Sequence, residues 1–333
     1  MCGGKIDDLP HSDVTDPTRV DGRPTAFRHD AVFYRGDGGF VPAVLPFVAA
    51  ALGRGEPVLV AVPPERERAL RGALADGAKR VEFVDIQAAG RNPGRIIGVW
   101  NDFLGRHAGS RNALNGVTEP VWAERTSEEI AECQRHESLL NLAFAETESF
   151  SLICPYDEAA LPVHVVCAAE ESHPHVVQEG RRRASARYHG VDGIGEADRR
   201  PLSPAPEHAV ARAFTVAGLT SVRREVEAWA VELGVEPAGA AGLALAVHEA
   251  AVNSVLHGGG EGVIARWAAD GRAVCEITDA GVLNDPLAGR SLPQPQSGGG
   301  RGLWLINQLC DLVQIRATAT GLVVRMHQGS GPS

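Results

Sequence analysis

The chain has 333 residues, 44% hydrophobic and 22% charged, which is enough for two packed domains. A formal net charge of −10 argues against a nucleic-acid surface and against binding to anionic membranes, and leaves contact with a basic protein open. No apolar run in the sequence approaches the roughly 20 residues of a bilayer span.

Met1-Cys2-Gly3-Gly4-Lys5 lacks the apolar region of a signal peptide, so a cytoplasmic location is expected. The six cysteines, Cys2, Cys133, Cys154, Cys167, Cys275 and Cys310, are scattered with no Cys-x-x-Cys pair. That spacing indicates neither a zinc site nor a disulfide framework; the expectation is buried thiols in a reducing compartment.

Residues 1–24 are polar, rich in Pro and Asp and without hydrophobic period, and read as a disordered leader. Strand–helix alternation then begins. Ala31–Tyr34 is a short strand, followed by the loop Arg35–Phe40 and a helix from Val41 to Leu52. Pro57–Val62 is an apolar run suited to a strand buried on both faces. A charged helix over Glu65–Leu74, a strand over Val81–Val84 and a helix over Arg95–Arg106 follow. Ser127–Ala145 is a long helix with Ser127 as N-cap, and Phe150–Tyr156 is another strand. This order predicts a parallel sheet covered by helices. The loop after the first strand has no Gly-x-x-x-x-Gly-Lys-[Ser/Thr] pattern, so no nucleotide is expected there by that route.

Four stretches carry a family resemblance: Phe27-Arg28-His29 leading into Phe33-Tyr34-Arg35-Gly36, Gly116 through Trp122, Glu132 through Asn141, and Cys154-Pro155-Tyr156-Asp157. They resemble the MEDS sensory domain, a RecA-like parallel α/β module found beside regulators and kinases. The resemblance implies that this part senses a small organic ligand, with His29, Glu119, Trp122, His136 and Glu137 as candidate contacts. His136 lies one turn after Glu132, which is also the spacing of an ordinary helix pair. The domain is placed at residues 25–178.

Residues 179–207 read as a linker: Arg181-Arg182-Arg183, taken as a solvated patch, then Gly, Asp, Ser and Pro without period. The second domain is placed at 208–328, with a tail at 329–333. It begins with a strand, Ala213–Val216, and an amphipathic helix, Leu219–Leu233. The helix Pro237–Leu256 stacks Glu249 and Asn253 one turn apart on one face, with His257 one turn further. Leu245, Val252, Val255 and Leu256 are expected to face the core. A hairpin over Val263–Thr278, a helix over Gly302–Leu309 and a hairpin over Asp311–Met326 complete an α/β sandwich with helices on one face.

A carboxylate and a carboxamide stacked on a helix suit a divalent cation, a proton acceptor, or both. Asp279-Ala280-Gly281 follows a strand, and Gly298-Gly299-Gly300-Arg301-Gly302-Leu303 precedes a helix. An aspartate at a strand end can accept a hydrogen bond from an exocyclic amine. A glycine-rich turn at a helix N-terminus offers N–H groups to phosphates. Each signal alone is common; their order and spacing together are specific.

The three pieces look like the N, G1 and G2 boxes of the GHKL ATPase superfamily, and most like its anti-sigma-factor serine kinase branch. The resemblance implies a Bergerat-type α/β sandwich binding ATP and Mg²⁺. It implies Glu249 as general base and Asn253 as the metal ligand. Asp279, Gly281, Gly298, Gly299, Gly300, Arg301, Gly302 and Leu303 would hold the nucleotide, and Val282–Ser297 would be a lid. His257 would hold the helix end. The second glycine often seen after the G1 box is replaced by Val282-Leu283. The implied activity is serine/threonine phosphorylation of a STAS-domain anti-sigma antagonist by a protein that also holds a sigma factor, as a homodimer, with no nucleic acid or membrane as direct partner. Two alternatives are a non-catalytic module that uses ATP to tune its grip on a partner, and a sensor histidine kinase. The second lacks a helical hairpin around His189 or His208 to carry a phosphoacceptor.

Overall fold

A computed structural model of the protein describes residues 19–20, 23–24, 26–190, 201–293 and 300–329. The chain separates into two compact units, Met1–Ala89 with Asp102–Gly193, and Gly90–Asn101 with Ile194–Ser333.

Strands β1 (Arg19–Val20) and β2 (Arg23–Pro24) pair antiparallel inside the stretch expected to be a disordered leader. The rest of that leader lies outside the described residues. Then come β3 (Arg28–Tyr34), α1 (Asp37–Gly53), β4 (Val58–Val62), α2 (Pro64–Leu74), β5 (Val81–Asp85), α3 (Ile86–Ala89) and α4 (Ile96–Arg106). They are followed by β6 (Leu114–Thr118), α5 (Ser127–Ala143), β7 (Phe150–Asp157), α6 (Val163–Ser172), β8 (His175–Gln178) and β9 (Arg181–Ala184). Strands β3 to β9 form one seven-stranded sheet in the order β5-β4-β6-β7-β3-β8-β9. Every neighbouring pair is parallel except β8 with β9. The fully apolar β4 is buried along its whole length, as a strand covered on both faces requires.

Three local expectations are corrected here. The first helix begins at Asp37 rather than Val41, so only Arg35 and Gly36 separate it from β3. Thr126, not Ser127, caps α5: its hydroxyl accepts from Glu129 N while the Glu129 carboxylate accepts from Thr126 N, a reciprocal capping box. The arginine run is not a solvated linker. Arg181–Ala184 is an edge strand paired with β8, and Arg182 reaches the fully buried Asp30 with Nε–Oδ2 at 2.8 Å. A buried carboxylate needs a cation, and Arg28 alone does not satisfy both of its oxygens.

The second unit has β10 (Val210–Thr215), α7 (Leu219–Glu232), α8 (Pro237–His257), β11 (Glu261–Ala269), β12 (Arg272–Asp279), α9 (Arg301–Leu309), β13 (Leu312–Thr318) and β14 (Gly321–Gly329). Its five strands are all antiparallel, in the order β10-β11-β12-β14-β13. The two hairpins predicted from sequence are present; Asp270 and Gly271, both at positive φ, turn the first. The helices share one core with one face of the sheet, built from Val222, Val226, Leu243, Val247, Ile277, Ile306 and Met326 among others. On a smaller apolar cluster of Ala265, Trp267 and Val274 pack Ala205 and Ala209, from the segment just before β10.

Helix α8 is 21 residues long and, by length and composition, apolar enough to cross a bilayer, against the expectation that no run is. Its apolarity has a local use: Ala240, Leu243, Ala244, Ala246, Val247, Ala250 and Ala251 are buried in the core of the second unit. The buried face is this small-residue stripe; of the four residues expected to face the core, Val255 packs against it and Leu245 and Val252 are half-buried. Leu256 is 67% exposed. Alanines let the helix axis lie close to its neighbours, which larger side chains prevent.

Candidate functional site

In the second unit the three sequence motifs come together. Glu249 and Asn253 sit half-buried one turn apart on α8, against the start of α9. A methyl group at Gly302 would lie 3.2 Å from both Asn253 Nδ2 and Glu249 Oε2. Any side chain there would press on both polar groups, which is why the second residue of α9 is glycine. Gly300 caps α9 at φ 92°, a left-handed conformation that suits glycine. Arg301 is exposed in the first turn, and Leu303 packs on the core. Gly298 and Gly299 lie outside the described residues.

Asp279 ends β12 and is held from two sides. Ser254 Oγ donates to its Oδ2 at 2.5 Å and Gly281 N donates to its Oδ1 at 2.7 Å. A methyl group at Gly281 would meet Asp279 Oδ1 at 2.7 Å. The glycine is thus required by the carboxylate itself. Ser254 was missed by the sequence reading: it is buried on the core face of α8, one residue past Asn253, and only its pairing across to β12 reveals its part. His257 is exposed at the last position of α8, and the described part of the expected lid, residues 282–293, holds neither helix nor strand.

In the first unit the five expected contacts do not form one site. His29 and Glu137 meet, with His29 Nε2 3.1 Å from Glu137 Oε2, and both are almost fully buried. Two further residues join them. His29 Nε2 is 3.3 Å from Cys154 Sγ, and His173 Nε2 is 3.3 Å from Glu137 Oε2. Burial and the neighbouring His173 hold the His29 imidazole below its ordinary pKa. His136 is buried elsewhere along α5. Trp122 is half-buried under the Arg125 guanidinium, which lies 3.7 Å from its ring centroid.

Glu119 belongs to a different group, beyond the carboxyl ends of β3, β6 and β7, where open parallel sheets commonly bind ligands. The Tyr34 hydroxyl donates to Glu119 Oε1 at 2.5 Å, and Arg66 lies 3.8 Å from its Oε2 and 3.6 Å from Asp157 Oδ2. Burial pushes the Glu119 carboxyl up to about 7, against the pull of Tyr34 and Arg66. Burial and the Glu119 charge raise the Tyr34 phenol as well. Beside this group lies a cleft of about 730 Å³ lined by Val32, Tyr34, Pro46, Phe47, Gln178 and Arg182 among others.

Two family models match the chain. One, described as MEDS, the methanogen/methylotroph DcmR sensory domain, matches residues 28–174. The other, described as a histidine kinase-like ATPase domain, matches residues 213–328. No curated protein matches. A similar solved structure is the crystal structure of the RsbU and RsbW domains of Rv1364c from Mycobacterium tuberculosis, with 20% identity and a TM-score of 0.28. The match covers 38% of this chain and only 33% of that one. Residues 28–174 are thus similar to the MEDS domain family, and residues 213–328 to the histidine kinase-like ATPase domain family.

Proposed function

We propose that the second unit binds ATP with Mg²⁺ and transfers the terminal phosphate to a serine or threonine of a partner protein, under control of a small organic molecule bound by the first. The observation that carries this reading is the approach of Glu249 and Asn253 to the N-terminal turn of α9 at Gly302. The donor set fits: a carboxamide oxygen suits Mg²⁺, and the open backbone at a helix start suits phosphate oxygens. Asn253 would hold the ion, which when bound supplies neutralising charge between phosphates. Asp279, oriented by Ser254 and Gly281, accepts a hydrogen bond from the exocyclic amine of adenine. Glu249 accepts the proton of the attacking hydroxyl. The partner would be a STAS-domain anti-sigma antagonist, with a sigma factor held by the same domain as a homodimer. In the first unit, the cleft beside Tyr34 offers room for the organic ligand.

A second reading is an ATP-tuned binding module without transfer. Val282 and Leu292, 77% and 65% exposed in the segment between Asp279 and α9, favour it, because they offer a partner apolar contact independent of chemistry. For a histidine kinase, the described residues between His175 and Val210 hold β8 and β9 and no helix to carry a phosphoacceptor.

The test is incubation with radiolabelled ATP, Mg²⁺ and candidate STAS proteins. Alkali-labile, acid-stable label on a STAS serine or threonine supports transfer. Tight ATP binding without label supports the binding module, and acid-labile label on the protein itself overturns both.

A further inference from the structure

Four side chains from four elements of the first unit converge away from any nucleotide motif: His29 from β3, Glu137 from α5, Cys154 from β7, and His173 at the end of α6. Each offers one ligand atom, and these atoms all lie within 4.8 Å of one another. Exposure is 2% for His29, 1% for Glu137 and zero for the other two.

The protons around the cluster decide what it can hold. His29 Nδ1 is 3.1 Å from Asn141 Oδ1. The Asn141 amide cannot be turned the other way, because its Nδ2 donates to Ser172 O at 2.7 Å and a carbonyl only accepts. His29 Nδ1 therefore carries a proton. His173 Nδ1 lies 2.7 Å from Ala169 O, again a carbonyl, and carries one too. In their neutral forms both rings aim an unprotonated Nε2 at the Glu137 carboxylate. Lone pairs then face lone pairs in a dry centre; the Cys154 thiol can donate to His29 Nε2, and a proton on Glu137 or on a ring, or one bound cation, relieves the rest. Burial works against a charged ring.

We infer that His29, Glu137, Cys154 and His173 bind a divalent metal ion of the zinc class. Ligand atoms at 2.0–2.3 Å around a tetrahedral ion are about 3.3–3.6 Å apart. Three of the six separations, 3.1, 3.3 and 3.3 Å, need only a slight opening, and the others, all within 4.8 Å, need at most a modest closing. Two imidazoles, a thiolate and a carboxylate form a borderline-soft set suited to Zn²⁺ rather than Mg²⁺ or Ca²⁺. On binding, the Cys154 thiol gives its proton to solvent. The dication, one thiolate and one carboxylate then sum to zero charge, as a buried site requires. The Nδ1–H bonds to Asn141 and Ala169 are the outer partners that orient metal-bound histidines. With four protein ligands and no exposed position, the ion ties β3, β7, α5 and the end of α6 together.

The experiment uses the full chain. Metal content is measured on protein purified without chelator, and chelator-treated protein is then titrated with Co²⁺ alone. The expected result is one equivalent of zinc as purified. The cobalt protein should show the intense visible bands of four-coordinate Co²⁺ and a thiolate-to-cobalt band in the near ultraviolet. Cys154→Ser should lose the near-ultraviolet band and at least tenfold in cobalt affinity, and His173→Gln the affinity. If either variant fails to fold, the wild-type stoichiometry and spectrum still decide. Absence of stoichiometric zinc together with no cobalt bands, a six-coordinate spectrum, or a thiolate band that persists in folded Cys154→Ser overturns the assignment.

Discussion

The Ser254 hydroxyl donates to Asp279 Oδ2 at 2.5 Å and so ties α8 to the end of β12. A hydrogen bond to a charged group contributes about 1.5–3 kcal/mol. Ser254→Ala frees one oxygen of Asp279 to turn, so ATP binding should weaken roughly ten- to a hundredfold. Titration with a fluorescent ATP analogue reads this, and Asp279→Asn should lose adenine selectivity as well. Equal affinity in Ser254→Ala and wild type would remove Ser254 from the site.

Gly302→Ala tests the cradle beside Glu249 and Asn253. The added methyl group would meet both at 3.2 Å. The overpacking is worth about 1–3 kcal/mol, so Mg²⁺-dependent ATP affinity should fall about tenfold while circular dichroism is unchanged.

Glu249 and Asn253 should separate by assay. Glu249→Gln should keep ATP binding and lose transfer by about a hundredfold or more, as removal of a general base does. Asn253→Ala should lose the Mg²⁺ dependence of binding itself. Normal transfer by Glu249→Gln would end the general-base assignment.

Glu119 gives a pH prediction. Its carboxyl stands near 7 in the folded chain and near 4.5 unfolded. Between these values the folded state binds the extra proton, so stability falls as pH rises through this window. Above pH 7 the cost is up to about 3 kcal/mol. Glu119→Gln keeps an acceptor for Tyr34 and removes the charge. Thermal melts from pH 5 to 8 should therefore show the variant gaining on wild type as pH rises. A constant difference would contradict this.

Arg182→Ala leaves the fully buried Asp30 with Arg28 as its remaining arginine partner. Breaking a lone buried pair costs about 3–5 kcal/mol, and the retained arginine lowers this to about 2. Urea unfolding of the first unit should show it. Arg183→Ala, on the neighbouring residue of the same strand, breaks only a surface pair with Glu170 and should be near neutral.

The nucleotide motifs were legible in the linear chain because their parts are local. Glu249 and Asn253 are one helical turn apart, and Asp279-Ala280-Gly281 and Gly300-Arg301-Gly302 are contiguous. Helix period and glycine placement carry that information without knowledge of neighbours. The same holds for the alternation that predicted a parallel sheet first and an antiparallel one second. On α8 the exposed Leu256 departs from its expected core position, because much of the core side is alanine, whose weak apolarity hides the stripe beside the larger Leu256.

Only the tertiary structure could join His29, Glu137, Cys154 and His173. They come from four separate elements, and no Cys-x-x-Cys or similar spacing links them. Parallel strands place distant residues side by side through long crossovers, so sequence separation says nothing about their distance. Contacts between elements distant in sequence likewise hid the pairing of Arg182 with Asp30, and of Ser254 with Asp279. Local periodicity determines which elements form and which short motifs they carry; the packing of elements decides which polar side chains share a dry centre.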